Sequence, residues 1–275
     1  MELVKNFDHF VKLIKSEKSR NGRTKTNCYF FPDYITKITK EETLYFERTS
    51  SGLFFLKHEV GFYMLYFYVS DQLKDELDIQ FLNSIEEPVL LNTIYSQISN
   101  EAKLRSDVNF WSSQNFYLRK NFKRMILTND LCINENRLNN NLDYLIRFVN
   151  RSEIEELLFL WKNSLDLLSN PLPNEGELIS SIINQEIICI LDTNKNIIAA
   201  LQCRKEGSFF EISRVAVDYR FRRQGLAYTL MVKSIQSKNN YFLWVAEDNF
   251  SAIMLYEQLG FMFDGKITKQ FLWGK

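Results

Sequence analysis

The chain has no surplus of either charge. Its 275 residues carry 34 Lys and Arg against 34 Asp and Glu. A protein that grips a polyanion through its phosphates normally has a basic excess, so composition points away from a nucleic-acid partner. Long apolar runs are also missing. No window approaches the ~18 consecutive apolar residues of a membrane span, and residues 1–5 lack the apolar stretch of a signal peptide. Cysteine is scarce, and Cys28, Cys132, Cys189 and Cys203 form no C-x-x-C pair. Cys189 and Cys203 sit inside apolar runs, the usual setting of reduced, buried thiols. The two histidines, His9 and His58, are far apart, and no cluster has the spacing of zinc ligands. These absences together predict a reduced, cytoplasmic protein with no metal site.

Glycine is absent between Gly61 and Gly176. A loop that wraps a phosphate with its backbone amides needs glycine for close approach, so the first half should contain no such loop. What is present reads as globular: 45% hydrophobic and 25% charged residues, over a length that suits two domains. The polar, Asn-rich stretch 137–143 reads as a linker, which divides the chain into 1–143 and 144–275.

In the first domain, Val4, Phe7, Phe10, Val11 and Ile14 recur at helical spacing. An antiparallel meander of aromatic strands follows at 43–47, 53–56 and 62–69, with a turn at Ser50-Ser51-Gly52, and 89–95 is a further strand. The stretch 110–124 interleaves aromatics with Arg119, Lys120, Lys123 and Arg124 and reads as a helix running into an edge strand. The second domain gives a strand at 144–149. Ser152 with Glu155 forms a capping box that opens a helix to about residue 164. After the Pro171-Leu172-Pro173 break come a helix at 175–183 and strands at 186–191, 197–203 and 209–217. A helix from Gly225 to about Ser237, a strand at 241–246, a helix at 251–259 and two short strands complete the order β-α-α-β-β-β-α-β-α-β-β.

Chemistry concentrates where the strand ending at Val215-Ala216-Val217 turns through Arg220, Arg222, Arg223 and Gln224 into the helix opened by Gly225, Leu226 and Ala227. Helix N-terminal amides have no intrahelical partner, and the helix dipole adds positive charge there. Such a site accepts a pyrophosphate. The loop is neither a Walker loop nor a dinucleotide fingerprint, because the glycines those need are missing.

A second element follows one helix and one strand later, with Asn249, Ala252, Tyr256, Gly260 and Phe261 at fixed spacing. The pair of motifs, Arg-x-x-Gly-x-Ala at Arg222, Gly225 and Ala227 and Asn-x-x-Ala-x-x-x-Tyr-x-x-x-Gly-Phe at 249–261, resembles the GNAT superfamily of acyl-CoA N-acyltransferases. The resemblance spans nearly all of 144–275. It implies an α/β fold of the α+β kind: a mixed, mostly antiparallel sheet with helices on both faces. It also implies acetyl-CoA as donor, held by the backbone of Val215, Ala216 and Val217 along the pantetheine arm and by the amides of 222–227 (Arg222, Arg223, Gln224, Gly225, Leu226, Ala227) at the pyrophosphate. Asn249 and Ala252 would meet the cofactor arm, and Tyr256 would both contact it and protonate the departing thiolate, with the Val217 amide facing the oxyanion.

The general base is open. Glu211 lies six residues before Val217, an even separation that predicts one shared strand face. Glu247 and Asp248 compete with it, as does a water. The first domain echoes the second motif faintly in Asn109-Phe110, Tyr117 and Phe122, as a degenerate copy of the same fold would, though without a phosphate loop. One cofactor site is therefore expected, with a small-molecule amine as acceptor and neither membrane nor nucleic acid as partner. Oligomeric state stays open. The alternatives are a non-catalytic CoA-binding sensor or scaffold and a macromolecule-modifying transferase that uses the first domain for recognition.

Overall fold

The computed structural model describes residues 1–71, 76–96, 101–128, 131–138, 144–235 and 239–274. The chain forms two compact units. Unit 1 is Met1–Phe122 with Lys266–Lys275, and unit 2 is Lys123–Gly265. The units therefore exchange chain at 122/123 and 265/266, whereas the sequence suggested a single division after 143. Most of the expected linker, 139–143, lies outside the described residues.

Unit 1 opens with β1 (Glu2–Leu3) and α1 (Phe7–Asn21). Asn6 caps α1 by accepting from the His9 amide at 2.9 Å, and Gly22 ends it at φ 66°. The short β2 (Thr24–Thr26) precedes α2 (Pro32–Lys40), a helix with no counterpart in the sequence reading, whose proline sits in the first turn where its missing N–H costs nothing. Then follow β3 (Leu44–Arg48), β4 (Gly52–Glu59), β5 (Phe62–Ser70), β6 (Val89–Ser96), α3 (Glu101–Ser113) and β7 (Phe116–Leu127).

The strands run in the order β1-β3-β4-β5-β6, with β2 added to β5. β4 and β5 are apolar nearly throughout because both faces are covered. Phe54 packs with Trp111 of α3, while its neighbour Phe55 packs with Phe10 of α1 and Ile35 of α2. Gly52 is obligatory: a Cβ there would stand 2.4 Å from the Tyr68 carbonyl oxygen.

Unit 2 holds β8 (Leu145–Phe148), α4 (Ile154–Ser164), α5 (Glu175–Ile183), β9 (Ile187–Leu191), β10 (Ile197–Glu206), β11 (Phe209–Val217), α6 (Leu226–Ser234), β12 (Tyr241–Ala246) and α7 (Phe250–Gln258). Strands β8 to β11 pair antiparallel in sequence order, and β12 joins β11 in parallel. One core lies under α4 and α5, around Leu157, Trp161 and Leu178. The other lies under α6 and α7, around Leu230, Leu243 and Tyr256. This is a mixed, mostly antiparallel α/β architecture with helices on both faces of each sheet segment.

Three local expectations change. The capping box is Asn150 with Glu153, not Ser152 with Glu155, and it opens a 3-10 turn before α4. The two final strands are one, β13 (Met262–Trp273), whose residues 266–272 pair antiparallel with 90–96 of β6 in unit 1. Strand β7 is not an edge, since it is flanked by β13 and β12.

The two units repeat one element order, β-α-α-β-β-β-β-α-β, apart from the inserted β2 and from α6. Between β5 and β6 the described residues of unit 1 form only a 3-10 turn, Gln80–Ser84, where unit 2 has α6. The glycine-free stretch thus coincides with the place where a phosphate-binding helix would begin. The faint second motif in unit 1 is out of register, however. Asn109 lies in the last half of α3, whereas Asn249 caps the start of α7.

Candidate functional site

The loop between β11 and α6 is shaped by its own side chains. Asp218 accepts from the Arg220 amide at 2.9 Å and pairs with the Arg220 guanidinium at 2.7 Å. The Arg220 bonds hold the Asp218 carboxyl below its ordinary range. Arg222 folds back so that its Nε donates to the Val217 carbonyl at 3.2 Å. Arg223 and Gly225 both adopt left-handed backbone, at φ 66° and 76°, which turns the chain sharply into α6. The first amides of α6, on Leu226, Ala227 and Tyr228, find no backbone acceptor among the described residues, and regular bonding resumes with Thr229 to Gly225. Unpaired amides, a helix dipole and exposed arginines on one short loop make the donor set a pyrophosphate requires.

Beside this loop the sheet opens. Strands β11 and β12 run parallel but pair only at Phe210 with Tyr241 and Glu211 with Phe242. Past those residues they separate, so among the described residues, 212–217 of β11 keep β10 as their only strand partner. Backbone groups on the β12 side of Val215, Ala216 and Val217 are left facing the opening. Parallel strands that part in this way leave a wedge at their C-terminal ends, where ligands of open α/β sheets commonly sit.

The bulge in β11 corrects one expectation. Gln202 pairs with Arg214 and Cys203 with Ile212, so Ser213 is an extra residue. It resets the alternation of side chains. Phe210 and Ile212 pack into the α6/α7 core, as Val215 and Val217 do, whereas Ala216 packs into the α4/α5 core. Glu211 therefore lies on the face opposite Val217, although six residues separate them. Its carboxylate is taken by Arg204 of β10, at 2.8 Å from Nε and 2.7 Å from a terminal nitrogen. Both contacts use the same oxygen of Glu211.

On the Glu211 face stands a polar group that sequence reading missed. Arg214 lies 5.2 Å over the Trp161 ring and donates to the Gln202 side chain and the Pro171 carbonyl. Gln202, only 3% exposed, also donates to Ser181 at 3.0 Å. This ties the loop between α4 and α5 to the middle of β11. The proline break at 171–173 marked that loop in the sequence, but nothing in the one-dimensional pattern linked it to Arg214.

Helix α7 carries the remaining residues. Asn249 is its N-cap, accepting from the Ala252 amide at 3.2 Å. Ala252 and Tyr256, one turn apart, face the same core as Val215, Val217 and Leu226. Tyr256 is 8% exposed, and no described residue hydrogen-bonds its hydroxyl. Burial pushes its pKa up to about 12, so the phenol keeps its proton at any physiological pH. Glu247 pairs loosely with Lys123 at 3.7 Å. Burial also raises Cys28, Cys189 and Cys203 to about 12, which excludes them as nucleophiles. No cluster of three or more metal-ligating side chains occurs among the described residues, and none of their helices is long and apolar enough to cross a membrane.

Fold and site define an α/β domain in which a helix N-terminus with unpaired amides stands beside the parting of two parallel strands. Residues 155–261 match the model of the acetyltransferase (GNAT) family, whose members carry out acyl transfer from acyl-CoA. Among solved structures, a GCN5-related N-acetyltransferase from Sphaerobacter thermophilus aligns with TM-score 0.57 at 12% identity, over 96% of this chain and 90% of that one. A tandem GNAT protein from the clavulanic acid biosynthesis pathway aligns with TM-score 0.53 at 10% identity, over 84% and 83%. A GNAT-family acetyltransferase from Colwellia psychrerythraea gives 0.51 at 12%, over 99% and 98%. At these identities the likeness is one of fold. No curated protein matches the sequence.

Proposed function

We propose that the protein is an N-acetyltransferase that moves an acetyl or short acyl group from acyl-CoA to a primary amine of a small molecule, with a single donor site in unit 2. The observation that carries this reading is the separation of β11 from β12 beside the unpaired amides of α6. The donor supplies an acyl thioester, an electrophile toward amines. The chain's own groups would do the rest. Amides of 222–227 hold the pyrophosphate, with Arg222 and Arg223 adding charge complementarity. The free edge of Val215, Ala216 and Val217 pairs with the amides of the arm, and Asn249 and Ala252 flank it. Tyr256 holds a proton on Oη that passes to the leaving sulfur.

Deprotonation of the amine falls to Glu211, through the oxygen that Arg204 leaves uncommitted, or to a water held there. The wedge opens on the α6/α7 face through Val215 and Val217, whereas Glu211 lies on the α4/α5 face. A relayed proton path through water suits that placement better than direct contact.

The test is thiol release from acetyl-CoA across a panel of primary amines, with Arg222→Ala and Tyr256→Phe as controls. Turnover on at least one amine that falls in both variants is the expected result. Tight binding of CoA with no turnover on any amine would favour a sensor or scaffold instead.

A further inference from the structure

Unit 1 repeats the strand opening of unit 2 and then fills it from its own chain. Strands β5 and β6 run parallel and pair only at 63–65 with 89–91, as β11 and β12 pair only at their start. Where the wedge begins, Asn27 is inserted. Its side-chain amide accepts from the Phe67 N–H at 2.9 Å and donates to the carbonyls of Leu65 at 3.0 Å and Asn92 at 3.1 Å. One side chain thus bridges both parted strands. Just before it, Thr24–Thr26 pair antiparallel with 68–70 of β5. The backbone edge that stays open on β11 is therefore occupied on β5, and no pantetheine arm can run along it.

Beyond this plug a cavity of about 320 Å³ remains, bounded by β2, β5, β6 and α3. That is near the lower end of the roughly 300–1,000 Å³ range of ligand pockets, a size for a single metabolite. Aromatic rings line it alongside threonines and other small polar groups, with Tyr29, Tyr95, Phe110 and Trp111 among them. Tyr29 is 70% exposed and borders the mouth of the cavity. Two opposite charges also line the space, Lys25 and Asp107. Neither forms an ion pair with another described residue. Asp107 is close enough to the Tyr95 phenol to help raise its pKa, after burial, toward about 12.

A pocket lined by several rings, one ammonium and one carboxylate suits a molecule that has both complementary charges and a flat or bulky apolar body. We propose that this cavity binds a small zwitterion of the aromatic amino-acid class, with its ammonium toward Asp107, its carboxylate toward Lys25 and its ring against Phe110 and Trp111. The site is separate from the acyl-CoA site and does not depend on the proposed transferase activity.

Calorimetric titration of the full chain, without CoA, tests this with three probes that share one ring: L-tryptophan, tryptamine (cation only) and indole-3-acetate (anion only). Tryptophan is expected to bind at least tenfold more tightly than either half-ligand. Asp107→Asn should weaken tryptophan and tryptamine while sparing indole-3-acetate, and Lys25→Ala should weaken tryptophan and indole-3-acetate while sparing tryptamine. Both residues lie at the surface of the pocket, so neither change threatens folding, and Tyr256→Phe should leave all three titrations unchanged. The proposal is overturned if no probe binds at millimolar concentration. It is equally overturned if tryptophan binds the two unit 1 variants as it binds the wild type, or if Tyr256→Phe abolishes its binding.

Discussion

Replacing Tyr256 with Phe removes one oxygen from a buried ring, and the structure says what that should do. The hydroxyl has no partner among the described residues, so no hydrogen bond is lost and the ring keeps its place against Phe261, with centroids 6.0 Å apart. Stability at neutral pH should change by less than about 1 kcal/mol, since no buried partner is left unsatisfied. Turnover should fall by roughly 10²–10⁴, the usual contribution of a positioned general acid. CoA affinity should stay within about threefold, because the lost group acts on the leaving sulfur rather than on the phosphates.

The same phenol gives a second, independent signature. Its folded pKa of about 12 exceeds the ordinary 10.0. Stability tied to the neutral phenol is thus complete below pH 10 and is lost as pH rises toward 12. At about 1.4 kcal/mol per pKa unit, the wild type should lose on the order of 1 kcal/mol by pH 11 and somewhat under ~3 kcal/mol in full through this group alone. Tyr256→Phe cannot lose it, so the variant should overtake the wild type in denaturant titrations at alkaline pH. Thiol-release kinetics, CoA calorimetry and urea unfolding between pH 8 and pH 11 measure the three quantities. Turnover within twofold of wild type would refute the acid role, and parallel pH profiles of stability would refute the burial argument.

Other outcomes follow from the same geometry. Gly225→Val places a β-branched residue at φ 76° and should cost about 1–3 kcal/mol of stability, measured by thermal unfolding, while weakening CoA binding at least tenfold. Asp218→Ala frees Arg220 and the turn it caps, and should raise the Kd for CoA several-fold with little effect on turnover at saturation. Arg214→Ala strips the Gln202 and Pro171 contacts from a half-buried position and should lower stability by about 1–3 kcal/mol. If the Pro171 loop borders the acceptor, that variant should also raise the amine KM more than it lowers kcat. Phe271→Ala empties a fully buried site in the unit 1 core and should cost about 3–5 kcal/mol in chemical denaturation.

Much of unit 2 could be read from the chain because its signals are local. Apolar runs marked β9 to β12, turns marked their ends, and Gly225 and Asn249 each stand at a helix start. Side-chain direction on β11 could not be read, because a bulge depends on pairing with β10 and leaves no trace in the spacing from Glu211 to Val217. The ion pair of Glu211 with Arg204 and the Arg214 contacts are likewise products of register and packing. In unit 1 the meander was legible from its aromatic runs. Helix α2 was missed because its nine residues span only about two and a half turns and carry four β-branched residues. The route of β13 was unreadable, since nothing in residues 262–273 says which sheet they will join.

That route has a consequence for biosynthesis. Residues 266–272 complete the pairing of β6, and Phe271 and Trp273 fill the core beneath it, yet they leave the ribosome after all of unit 2. Unit 1 is therefore translated first and finished last. Until then the outer edge of β6 offers open backbone to any passing strand. A nascent chain in this state is vulnerable to misassembly and needs either fast completion or a holding chaperone. Slowed translation between the codons for residues 123 and 265 should lower the yield of folded protein even though every residue is correct.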